Sequence, residues 1–116
     1  MATRLAEAHV RVDGDTALID LSGDINGTAQ PVLTEAYEQV SATGVKSIIL
    51  NFADTEFINS TGIAVIVGIL AKARQDQRSV SACGLTDHYR HIFEITRLSD
   101  FMPMYADETA ARSENT

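Results

Sequence analysis

Fifteen consecutive residues without a formal charge, Phe57 to Ala71, constrain this chain more than any other feature. A chain of 116 residues makes about one domain, so this run must lie against the single core. It is too long for an ordinary strand and short of the ~20 residues that span a bilayer, so no membrane span is expected. It is also broken by Asn59-Ser60-Thr61-Gly62, four residues suited to ending a strand and starting a helix. Phe57-Ile58 therefore reads as the end of an extended piece. Ile63 to Leu70, turning polar at Lys72, reads as a largely buried helix that leaves the core.

The flanking segments alternate between strand and helix patterns. Glu7–Val12 has period-2 alternation, Asp13-Gly14-Asp15 signals a turn, and Thr16–Ser22 is a second strand, so the two form a hairpin. Gly23 to Gly27 breaks the pattern, and Asn26 or Thr28 caps a helix whose first turn accepts Pro31. Val32, Leu33, Ala36, Tyr37 and Val40 share one face of that helix, and Gly44 stands where a helix-ending glycine is expected. Ser47–Leu50 is a short apolar run suited to a strand buried on both faces, followed by a loop or short extended piece over 51–59. Ser79–Cys83 is a further strand, Thr86 caps a third helix carrying Tyr89, Ile92, Phe93 and Thr96, and Phe101–Tyr105 is a last short strand. Strands separated by helices predict an α/β fold, a mixed, mostly parallel sheet flanked by helices. Residues 1–105 form the domain. Residues 106–116, with no large apolar side chain, are expected to be a flexible acidic tail.

Charge narrows the function. Nine basic against sixteen acidic residues give a formal net charge of −7, which disfavours nucleic-acid and anionic-membrane binding. The single cysteine, Cys83, forms no internal disulfide and sits in an apolar strand, which suits a small buried residue in a reducing, cytoplasmic setting. His88 and His91 stand three apart on a helix, but no Cys/His cluster accompanies them, so no metal is called for. Nucleotide-binding glycine loops and a nucleophile elbow are missing from the sequence, so no cofactor and no enzyme activity are indicated.

The stretch from Phe57 to Leu70 resembles the signature of STAS domains, in particular bacterial anti-sigma factor antagonists. Their pattern is an apolar pair, Asp-Ser-Ser/Thr-Gly, then a Leu/Ile-rich helix. Leu21-Ser-Gly-Asp-Ile-Asn26 resembles the family's Leu-x-Gly-Glu-Leu/Ile-Asp loop, and Ile48-Ile-Leu-Asn-Phe52 its central strand. Gly84-Leu85 and Ile92-Phe93 fall where the family has its last strand exit and last helix. The resemblance covers residues 8–105. It implies a protein-binding switch without catalytic chemistry. Ser60 is then the residue phosphorylated by a partner that is both serine kinase and anti-sigma factor. The unphosphorylated form binds that partner and frees a sigma factor, and a serine phosphatase restores this form. The partner-binding residues implied are Asp24, Asn26, Gly27, Thr28, Asn59, Thr61, Gly62 and Ile63, on a monomer or weak homodimer. Asn stands at positions 26, 51 and 59, where the family usually has Asp. Asn is neutral, so the switch region is expected to carry less negative charge, which bears on recognition by the kinase.

Other readings stand beside this one. Ser60 and Thr61 are also good helix caps, and Thr61 is a second candidate acceptor. A STAS domain that binds without a phosphorylation cycle is the main alternative, as a scaffold, transporter-associated or ligand-sensing subunit. A response-regulator receiver fits less well, because the strand Ile48–Leu50 ends in Asn51 rather than an acceptor Asp. The last alternative is an unrelated module whose glycine pattern matches by accident.

Overall fold

The structure is a computed structural model that describes residues 4–114. Five strands form one sheet in sequence order. They are β1 (Glu7–Asp13), β2 (Thr16–Ile25), β3 (Ser47–Ile58), β4 (Ser79–Cys83) and β5 (Met104–Tyr105). β1 runs antiparallel to β2, and β2 to β5 are parallel. The hairpin closes at Asp13 opposite Thr16, with Gly14 in the left-handed region at φ 64°. The helices are α1 (Gln30–Ala42), α2 (Ser60–Gln75), α3 (Asp87–Ile95) and α4 (Glu108–Glu114), with one-turn 3-10 segments at Gly27–Ala29 and Leu98–Asp100. The mixed, mostly parallel α/β sheet predicted from the alternation of patterns is present.

Strand order explains the layering. Right-handed crossovers that always step the same way along a sheet place their helices on one face. The main core shows this. Leu33, Tyr37 and Val40 of α1, Ile66, Ile69 and Ala73 of α2, and Phe93 of α3 pack on Ile19, Leu21, Ile48, Leu50 and Phe52. Phe93 meets Phe52 edge-on, with ring centroids 6.2 Å apart. The alternate side chains Leu18, Ile49 and Cys83 point to the other face, where Ala111 and Tyr105 cover them.

Three expectations change. The first strand of the parallel set does not stop at Ser22 but continues to Ile25 through two register shifts. Gly23 permits this at φ 83°, because the carbonyl oxygen of Leu5 lies 2.3 Å from where a Cβ would sit. Likewise β3 continues through 51–58, where a loop or separate short piece was expected. Beyond Asn51 it has lost β4 as a neighbour and pairs with β2 alone, so Asp54 and Glu56 extend into solvent from a true strand. Thirdly, over its described part the expected flexible tail is the helix α4. Ala111 is wholly buried, Arg11 donates to Glu108 at 2.7 Å, and Arg112 donates to Asp13 at 2.7 Å. One small alanine and a set of ion pairs hold it, and neither makes an apolar stripe in the sequence.

Candidate functional site

The site lies where β2 and β3 end together. Ile25 pairs with Ile58, and the backbone N–H of Asn59 donates to the Ile25 carbonyl at 3.2 Å. Each strand then turns into helix through the same device. Asn26 accepts from the Thr28 backbone N–H at 2.9 Å and from the Thr28 hydroxyl. Asn59 accepts from the Gly62 backbone N–H at 2.8 Å and from the Thr61 hydroxyl at 2.7 Å. Both are side-chain caps on the first helical turn, a task Asn and Asp perform about equally well. The Asn-for-Asp exchange thus preserves the loop geometry and removes charge from it.

Gly62 locks the two turns together. A Cβ there would fall 1.9 Å from the Ile25 carbonyl oxygen and 3.2 Å from the Asn26 nitrogen, so only glycine lets α2 start this close to β2. Opposite, the Tyr89 hydroxyl accepts from the Ile58 backbone N–H at 3.0 Å, fixing the end of β3 from α3. Tyr89 looked only like an apolar-face residue of its helix, and no spacing pattern in the sequence marks the bond.

The predicted residues divide by exposure. Ser60, Thr61, Gly27 and Thr28 are exposed, and Asp24, Asn26 and Asn59 are half-buried. Gly62 is buried, and the half-buried Ile63 packs toward the main core, so these two shape the site rather than present it. Asn51 does not belong to the loop. It donates to Asp20 at 3.0 Å and accepts from the Ala53 N–H at 3.1 Å, in the network that also holds Arg11 and α4. Only two of the three asparagines, 26 and 59, therefore flank Ser60. Phe57, half exposed on β3 beside Asp24, adds an aromatic surface next to the loop.

Among the exposed hydroxyls, Ser60 differs from its neighbours. Thr28 and Thr61 each donate to the capping Asn, whereas the Ser60 hydroxyl has no hydrogen bond among the described residues. It stands at the first position of α2, where the backbone N–H groups of Ser60 and Thr61 have no acceptor within the helix and the helix dipole favours an anion. The segments 26–28 and 59–63 contain no charged side chain. Titratable groups with shifted pKa values lie elsewhere. Cys83, pushed up to about 11 chiefly by burial, is on the far sheet face. Among the described residues, no group of three His, Cys, Asp or Glu side chains is placed to hold a metal, and no helix is long and apolar enough to cross a membrane.

The STAS domain family model matches residues 7–111, and the chain belongs to this family. The anti-sigma-B factor antagonist of Listeria monocytogenes is 32% identical over 90 residues, covering 76% of this chain and 79% of that protein. Among solved structures, an anti-sigma factor antagonist from Mycobacterium paratuberculosis superposes with a TM-score of 0.80 at 18% identity, covering 95% of this chain and 93% of that one. The Bacillus cell fate determinant SpoIIAA in its phosphorylated form gives a TM-score of 0.68 at 18% identity, covering 91% of this chain and 97% of that one.

Proposed function

We propose that this protein is a phosphorylation-controlled anti-sigma factor antagonist. In its unphosphorylated form it binds an anti-sigma factor that is also a serine kinase, and so relieves inhibition of a sigma factor in the cytoplasm. Phosphorylation of Ser60 ends that binding, and a serine phosphatase reverses it. The exposed edge formed by Asp24, Asn26, Gly27, Thr28, Asn59 and Thr61, together with Phe57, is the partner surface, held in shape by Gly62 and Ile63. The protein acts as a monomer or weak homodimer.

One observation carries this reading: Ser60 is the exposed loop hydroxyl left without a hydrogen bond, at a helix start. A phosphate there adds about −1.5 to −2 charges where open N–H groups tolerate them, so the fold survives. At a tight interface the same charge and bulk oppose contact. A hundred-fold loss of affinity needs only ~2.8 kcal/mol, within reach of desolvation and repulsion without refolding. The similarity to anti-sigma factor antagonists supports the choice of partner. The capping role of Asn59 answers the exchange of Asp for Asn, since it retains the loop that presents Ser60.

The test is incubation with the cognate kinase and ATP, followed by mapping of phosphate by mass spectrometry. The expected result is one phosphate on Ser60, retained in Thr61→Ala and absent from Ser60→Ala. Phosphate on Thr61 in the wild type, or on neither residue, refutes the assignment.

A further inference from the structure

About 20 Å along α2 from Ser60, at 1.5 Å per residue, a second feature stands apart from the switch loop. The far half of α2 and the connection between α3 and β5 enclose a groove of about 520 Å³. Leu70, Val80 and Leu98 form its floor, and Val67 and Phe101, 44% and 59% exposed, form its apolar rim. Its size is that of a small-molecule site rather than of a protein interface.

The charges around it are unlike the rest of the molecule. Of sixteen acidic residues only Asp100 lines the groove, against three arginines, Arg74, Arg78 and Arg97. Two of these are engaged. Arg78 donates to the Val45 carbonyl, Tyr37 and Asp76, and so contributes its aliphatic stem. Arg97 pairs with Asp100 at 3.1 Å. Arg74 has no carboxylate partner among the described residues, whereas the other six arginines each have one. Its guanidinium lies 5.6 Å from the centre of the Phe101 ring, at the mouth of the groove. Lys46 and Lys72 also have no carboxylate partner among the described residues, but neither lines the groove, so Arg74 is the unpaired cation that this acidic chain places beside it.

We infer that this groove binds a small anionic amphiphile, a molecule with one carboxylate or phosphate head and an apolar body. The body lies on Leu70, Val80 and Leu98 between Val67 and Phe101. The head meets the Arg74 guanidinium, whose flat donor fork suits either oxyanion. Nothing in this inference depends on the role of Ser60.

The test uses the full chain and the fluorescence of dansyl-labelled undecanoate, kept below its micelle concentration. Saturable binding is expected, with displacement by decanoate, decyl phosphate or both, and decanol at least about ten-fold weaker. Displacement by only one of the two acids supports the site and tells which head it takes. Arg74→Glu is expected to weaken probe binding by about ten-fold or more and Arg74→Lys by less, with Ser60→Ala equal to wild type. Arg74 is exposed, so these variants fold, and circular dichroism checks it. The inference is overturned if no saturable binding occurs, if decanol competes as well as the acids, or if Arg74→Glu binds like wild type.

Discussion

Gly62→Ala and Gly68→Ala, six residues apart on α2, should act in opposite directions. At Gly68 an added Cβ meets nothing within 4 Å, so alanine only restricts the unfolded chain and improves helix propensity. A gain of about 0.5–1 kcal/mol is expected there. At Gly62 the Cβ would meet the Ile25 carbonyl oxygen at 1.9 Å and its carbon at 2.6 Å. Both atoms belong to backbone at the end of a central strand, so a rotamer change cannot relieve the clash. The helix start must retreat by about 1.5 Å to reach ordinary contact. That retreat breaks the bond from the Asn59 N–H to the Ile25 carbonyl. Overpacking contributes about 1–3 kcal/mol and the lost hydrogen bond about 1, for a destabilisation of about 3 kcal/mol. In a domain of this size, that lowers Tm by about 10 °C. Urea unfolding followed by circular dichroism reads both variants. If Gly62→Ala is as stable as wild type, the close packing of the two turns, and with it the presentation of Ser60, is wrong.

Other perturbations separate the remaining parts. Asn59→Ala should lose about 1–2 kcal/mol of stability by uncapping α2, while Asn59→Asp keeps the cap and changes stability little; thermal unfolding distinguishes them. Asp20 and Glu108 are both held below their ordinary values, 3.8 and 4.5, first by hydrogen bonds from Arg11. Folded values below unfolded ones mean that their stabilisation is present above pH 4.5 and is lost as the pH falls through the folded values. Arg11→Ala should therefore flatten the acid limb of the stability curve measured by urea unfolding. Cys83 lies under α4 in the far-face cluster, so Arg112→Ala should speed labelling of its thiol by a disulfide reagent. An unchanged rate would mean that α4 does not guard it. Ser81 is buried and its hydroxyl has no partner among the described residues, so Ser81→Ala should stabilise by about 1 kcal/mol in the same unfolding assay.

Much of this architecture is written in local pattern. Val10 and Val12 alternate with polar residues, Gly14 marks the hairpin turn, and Thr86 caps α3 as its position suggests, accepting from the Tyr89 N–H at 3.3 Å. The Asn59 to Gly62 turn is legible for the same reason, since capping is a short-range property of side chain and backbone. What was hidden depends on neighbours distant in the chain. The second half of β3 reads as a loop or a separate short extended piece because one of its edges is open. Gly23 looked like a strand breaker, although its lack of a side chain is what lets the backbone of Leu5 approach β2. α4 carries a single buried alanine and is held by Arg11 and Arg112, whose partners Glu108 and Asp13 lie 97 and 99 residues away. The free hydroxyl of Ser60 could not be told from that of Thr61 until the hydrogen bonds of Asn59 were known.

The central claim is that one phosphate on Ser60 switches partner binding with the fold intact. Calorimetric titration of the cognate anti-sigma factor with the unmodified protein and with the protein phosphorylated on Ser60 tests it directly. The account predicts that phosphorylation raises Kd by about a hundred-fold or more, with the thermal unfolding of the free protein little changed. Equal affinity of the two forms would contradict it.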